Sequence, residues 1–160
     1  VFNNASIINS RFEKTFLTDV EFTNCNFSNT TFDNCSFIRC EFNNCKLTGC
    51  NFIENVLFDI GFIDSNMSYA NISLSNLRGI IFNNTSIRSG SLQENKVKNI
   101  NFKEADLRGT QFFKTSLNGI DLSNSNIDQI AVSLEEIKGA KINQMQAIDL
   151  ISLLGVKVVE

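Results

Sequence analysis

The chain has 160 residues, 42% of them hydrophobic, with a formal charge of −3. That length suffices for one domain with its own core. No apolar run approaches the roughly 18 residues that a membrane-spanning helix of ordinary length requires. There is no histidine, the commonest general base and metal ligand, which weakens any reading as an enzyme. The charge is uneven: residues 1–70 carry 4 Lys/Arg against 8 Asp/Glu, and residues 71–160 carry 10 against 9. Neither half has the dense positive field of a phosphate-binding protein.

From the first residues the chain repeats every five. Large apolar side chains stand at Phe2, Ile7, Phe12, Leu17 and Phe22, and at every fifth position onward to Ile142, 29 centres without an insertion. Two residues before most centres lies a smaller residue: Ala5, Ser10, Thr15, Cys25, Cys35, Cys40, Cys45, Cys50, and later Ala70, Ser75, Thr85, Gly90, Ala105 and Thr110. The other three positions are mostly polar. A period of five fits neither a helix nor a strand. It fits flat sides joined by corners, each pentapeptide forming one side with its large and small residues inward. Four sides close a 20-residue turn, and stacked turns pair at about 4.8 Å.

The predicted architecture is therefore an all-β solenoid: a right-handed quadrilateral β-helix of about seven 20-residue coils over residues 1–142. Its length is roughly 34 Å. In this register Phe2, Phe22, Phe42, Phe62, Phe82 and Phe102 form a ladder up one side of the core. Asn4, Asn24, Asn44, Asp64, Asn84, Glu104 and Asn124 share one outer corner. Gly79, Gly119 and Gly139 share another, where a positive φ is needed. Asn55 and Asn95 take inward slots and are expected to bond to backbone. Glu135 occupies an inward slot, so that side is expected to bend open or become helical, with Ser133 and Glu136 as a capping box.

Residues 143–160 form a second unit, a C-terminal capping α-helix and a short strand. Asn143 caps the helix with Gln146 three residues on, and Gly155 stops it. Met145, Ile148, Leu150, Ile151 and Leu154 give an apolar surface wider than one cap needs, which marks them as a candidate cap and dimer surface. The tail from Val156 to Glu160 alternates like a strand. Val1 opens the chain where a Met is usual, so the sequence is expected to be a processed chain or a fragment; no leader is visible at its start.

The small–(Asp/Asn)–(Leu/Phe)–(Ser/Thr)–polar pattern over residues 1–142 resembles the pentapeptide-repeat proteins, most clearly in Ala105-Asp106-Leu107-Arg108-Gly109 and Ile120-Asp121-Leu122-Ser123-Asn124. The ending resembles the carboxy-terminal module of the quinolone-resistance (Qnr-type) members. The residues that carry it are Gly119-Ile120-Asp121-Leu122, Gly139-Ala140-Lys141-Ile142, Gln146-Ala147 and Leu154-Gly155-Val156-Lys157-Val158-Val159. That resemblance implies a homodimer formed through the terminal helix. It also implies a protein partner, DNA gyrase or topoisomerase IV, engaged by imitating a DNA duplex rather than by binding nucleic acid, with fluoroquinolone protection as the outcome. A mimic of DNA needs an acidic rod; Arg78, Arg88, Lys96, Lys98, Lys103, Arg108 and Lys114 are the sequence's departure from that. The alternative is a structural or protein-interaction module of unknown partner, without mimicry.

All five cysteines fall in small inward slots and read as buried packing residues. Four of them lie on successive sides of the coil, so a zinc site is not expected, and a reduced, cytoplasmic setting fits them best. Asn-x-Ser/Thr triplets such as Asn26-Phe27-Ser28 are a by-product of the repeat. No nucleophile–base pair, phosphate-cradling loop or cofactor fingerprint is present, so no catalytic, metal or cofactor residues are assigned. Among outward positions Phe16, Ile38, Ile53, Phe58, Ile63 and Phe113 are apolar. Ile38 and Phe58 share a column and form a candidate surface contact on one face.

Overall fold

In the computed structural model, which describes residues 1–157 and Val159, the chain is a parallel β-solenoid in which each strand pairs with the strand one coil further on. Phe22 pairs with Phe42, Phe42 with Phe62 and Phe82 with Phe102, so identical positions of the repeat lie directly above one another. Extended strand pairing covers about five coils, up to Lys103. Beyond it the same register continues only as isolated bridges, ending with Asp121 and Lys141. The last part of the expected seven coils is thus stacked but not built of strands.

Four strands are longer than the rest. Ser36–Asn43, Val56–Ile63, Asn76–Asn83 and Lys96–Lys103 each run eight residues, continuing through a corner to join two sides of the square. Most corners are left-handed. Asn4, Asn24, Asn44, Asp64, Asn84 and Glu104 have φ between 47° and 57°, and Gly79, Gly119 and Gly139 lie at 68°, 77° and 80°. Asparagine suits this position because its short amide tolerates positive φ and can bond locally. Here the Asn44 Nδ2 donates to Asn24 Oδ1 and the Asn84 Nδ2 to Asp64 Oδ1, both at 2.7 Å, so the corner column is tied from coil to coil.

Inside, the phenylalanines from Phe2 to Phe102 stack as a ladder, with ring centroids 4.9–5.3 Å apart. Phe2, at the end of the stack, is half exposed, whereas Phe62 is fully buried. Polar side chains in the inward slots serve the backbone. The Asn55 Nδ2 donates to Phe32 O (3.0 Å) while its Oδ1 accepts from the Cys35 N–H (2.7 Å). Asn95 does the same with Ile72 O and the Ser75 N–H. Ser65 and Thr85 donate in the same way to Phe42 O and Phe62 O. Each slot therefore staples its own coil to the one before.

The ending holds two short helices, α1 (Leu134–Ile137) and α2 (Gln144–Leu150). Ser133 and Glu136 close a capping box at α1, the helical turn that Glu135 demands in place of an inward side. Asn143 and Gln146 close the second box at α2. The helix is shorter than its apolar pattern suggests: after Leu150 it tightens to a 3₁₀ turn, Ile151–Leu154, and stops at Gly155 with φ of 71°. Val156, Lys157 and Val159 are not in a strand, and the remainder of the expected terminal strand, Val158 and Glu160, lies outside the described residues. Capping is led by a polar side chain. Gln146 is buried, and its Nε2 donates to Leu122 O (2.9 Å) and Ser125 O (2.8 Å) while its Oε1 accepts from the Asn143 N–H (2.9 Å). Leu150, Ile142 and Ile137 pack beside it on the core.

Replacing a mid-ladder ring should open a cavity that neighbouring coils cannot close, because each is fixed by its own register. Phe62→Ala is expected to lower stability by about 3–5 kcal/mol. Chemical denaturation followed by circular dichroism measures it, and an unchanged midpoint would refute the ladder's role.

Candidate binding face

The four long strands, with Phe16–Thr18 and Glu21–Thr23 preceding them, build five rungs across two adjoining sides of the rod. Outward side chains alternate with the inward ones, so each rung presents two residues per side and one at the corner. Read from the first rung to the fifth, the outward charges change sign. The first rung carries Asp19 and Glu21, the second Arg39 and Glu41, the third Asp59, the fourth Arg78 and the fifth Lys96, Lys98 and Lys103.

Apolar residues occupy the middle of this gradient. Ile38 and Phe58 are paired in register and half-buried; Val56 and Ile81 are exposed, and Ile63 is half-buried on the adjoining side. Gly61 stands between Glu41 and Ile81 in the paired columns, leaving a notch beside them. The notch opens a shallow groove of ≈ 450 Å³ along Arg39, Glu41, Asp59, Gly61, Ile63 and Ile81.

Two charged contacts fix the surroundings. The Arg39 guanidinium donates to both oxygens of Asp19, at 2.6 and 2.7 Å, and holds that carboxyl below its usual range. The Arg78 guanidinium lies over the Phe58 ring, 4.9 Å from its centroid, a cation–π contact that orients a cation across the boundary between the apolar and basic rungs. Among the described residues Arg78, Lys96, Lys98 and Lys103 make no salt bridge. Glu94, at the neighbouring corner, is engaged by Lys114 at 3.4 Å.

The residues singled out from the sequence thus fall in three places. Ile38 and Phe58 lie together on this face. The phenylalanine ladder lies inside the rod, and over its first coils Phe2, Phe22 and Phe42 line an apolar cavity of ≈ 180 Å³ together with Phe12, Phe27 and Phe37. The candidate helix residues lie at the far end: Met145, Ile148 and Leu154 are 73%, 51% and 63% exposed, whereas Leu150 and Ile151 are half-buried. An open apolar groove there is lined by Leu134, Ile137, Ile142, Leu150, Ile151 and Leu154. Val56, Ile81 and the Arg78–Phe58 stack were missed. Their signal was present at the positions flanking each centre, once these are aligned coil by coil rather than pentapeptide by pentapeptide.

Chemically the face offers contact area and charge. Among the described residues no three His, Cys, Asp or Glu side chains converge as a metal site, and no helix is long and apolar enough to cross a membrane. The five cysteines are free and buried. Cys50 Sγ donates to Phe27 O at 2.9 Å, and burial pushes its thiol up to about 12; Cys45 is pushed up to about 11 for the same reason.

Fold and face together define a repeat solenoid of the parallel β-helix class. More narrowly, the chain belongs to the pentapeptide-repeat family. The pattern of a pentapeptide repeat region matches residues 15–92 and 35–112, and that of eight-copy pentapeptide repeats matches residues 96–129. No curated protein matches the chain significantly in sequence. Among solved structures, a trypsin-treated form of QnrB1, a plasmid-mediated fluoroquinolone resistance protein, is 16% identical with a TM-score of 0.34 and 99% of each chain covered. A pentapeptide repeat protein of the Arabidopsis thaliana thylakoid lumen is 15% identical, with a TM-score of 0.47, covering 88% of this chain and 77% of that one. HetL of Nostoc sp. strain PCC 7120, a pentapeptide repeat protein involved in heterocyst differentiation regulation, is 14% identical, with a TM-score of 0.30 and coverage of 90% and 92%. At these identities and scores the likeness carries nothing about partner or role.

The raised thiols set a pH dependence. An unfolded thiol ionises near its ordinary 9.0, while folded Cys50 holds its proton to about 12. Above that ordinary value the folded chain binds more protons than the unfolded one, so stability falls as pH rises. The denaturation midpoint of wild type is expected to drop more steeply between about pH 9 and 11 than that of a Cys45→Ala/Cys50→Ala variant. Parallel slopes would show that the thiols do not contribute.

Proposed function

We propose that the protein is a non-enzymatic binding scaffold that docks a protein partner on the face carrying Ile38 and Phe58. The observation that carries this reading is the concentration of outward apolar side chains (Ile38, Val56, Phe58, Ile63 and Ile81) on a rigid two-sided surface. Large side chains gathered at solvent-facing positions mark contact sites, and a rod whose backbone is stapled coil to coil loses little conformational entropy on binding.

A type II topoisomerase, DNA gyrase or topoisomerase IV, is the partner to test first, with altered fluoroquinolone susceptibility as the consequence. The Qnr-like residues of the ending, from Gly119 to Val159, support it. The same ending supports a homodimer: Met145, Ile148 and Leu154 present apolar surface next to the groove lined by Leu134 and Ile137. Five unbridged cysteines support a reducing, cytoplasmic setting. The basic fourth and fifth rungs instead favour the second reading, an interaction module that does not imitate DNA, because a duplex mimic needs carboxylates where Arg78, Lys96, Lys98 and Lys103 stand.

A gyrase supercoiling assay with and without ciprofloxacin distinguishes the two. Inhibition or protection at micromolar protein, weakened about tenfold or more by Phe58→Asp, is expected of a topoisomerase ligand using this face; no effect at that concentration sinks the topoisomerase partner. Sedimentation tests the dimer: wild type is expected as a dimer and Ile148→Asp as a monomer, and monomers in both would end that assignment.

A further inference from the structure

We infer that the side of the rod bearing Ile38, Phe58, Arg78 and Lys98 receives an acidic segment of a partner protein, with apolar side chains seated on Ile38 and Phe58 and carboxylates on Arg78, Lys96 and Lys98. This rests on the scaffold reading above and names the chemistry of what the scaffold holds.

The column is set by the register. Ile38 pairs with Phe58, Phe58 with Arg78 and Arg78 with Lys98, so the four side chains stand one above another. Three rung steps of about 4.8 Å span roughly 14 Å, the length of about ten helical residues. A short segment therefore covers the whole column. Lys96 widens the basic end on the fifth rung, and Lys103 adds to it around the corner.

Charge determines the kind of segment. Four cations on two adjacent rungs make no salt bridge among the described residues, as is also true of Lys46 and Arg88 on another side, whereas Arg39 on the second rung is tied to Asp19. Of the cations on this side, Arg78 is the one held in place, its guanidinium set over Phe58 and its N–H groups left for an incoming carboxylate. Apolar and basic surface meet at that stack. A polyanion of uniform charge would match only the basic half, whereas a peptide with apolar residues followed by acidic ones matches both.

Fluorescence anisotropy on the full chain tests this. The probe is a fluorescein-labelled peptide of about ten residues, leucines followed by glutamates, long enough to span the column. It is compared with a peptide in which lysines replace the glutamates and with a short DNA duplex. Saturable micromolar binding of the acidic peptide is expected, lost by about tenfold or more in Arg78→Glu and kept within about twofold in Arg88→Glu, which changes the same charge on another side. Circular dichroism melting confirms that both variants keep the wild-type fold. Equal loss in Arg88→Glu would reduce the effect to net charge, tighter binding of the duplex would make this a nucleic-acid surface, and no saturation of the acidic peptide by about 1 mM would remove the site; each overturns the inference. If gyrase responds to the protein while the peptide fails, only this assignment falls; if neither responds, this assignment and the topoisomerase partner both fall.

Discussion

Everything in this molecule depends on one hydrogen-bonding constraint, the parallel pairing of each backbone segment with the equivalent segment of the next coil. A parallel stack admits no slip, because moving one coil by a single residue would turn its phenylalanines outward and its polar residues in. Inward polar slots reinforce the register. Asn55 and Asn95 each reach a carbonyl in the coil before and receive an N–H from that coil, so side chain and backbone specify the same alignment. The core is thereby reduced to repeated columns, and each column's energetics are those of one residue type stacked on itself.

That repetition explains what was legible. Twenty-nine apolar centres at a fixed spacing leave one arrangement that buries them all, and the ladder, the left-handed glycine corners, both capping boxes and the inward amides follow from it. What escaped the sequence depends on single atoms rather than on spacing. The apolar surface of residues 145–154 pointed to a greasy plug, and Leu150 does pack on the core, but the Gln146 amide joins it there by donating to the carbonyls of Leu122 and Ser125, which need a donor. The helix shortens after Leu150, where its pattern alone gave no stop. The strands fade after Lys103 although the centres persist, so periodicity reports stacking and not the extent of regular pairing.

The candidate face was half legible for a related reason. Ile38 and Phe58 announce themselves as apolar residues at polar positions. The charge gradient does not, since Asp19, Glu41, Arg78 and Lys98 each look like ordinary solvated side chains until the stacked columns place them in order. Structure converts a weak net charge into a polar axis along one surface, acidic at one end and basic at the other. The inward positions and the corner columns specify the rod; the other outward positions carry fewer folding constraints, and any selectivity resides there.

The Gln146 amide has a further consequence. A parallel β-stack is open-ended by nature, since its last rung offers the same donors and acceptors as every rung before it, and any matching edge could extend it. By taking two carbonyls of that rung with one side chain, and fixing its own orientation through Asn143, Gln146 converts a growing surface into a terminus. The cap thus denies those two acceptors to any strand that would add to this end of the stack.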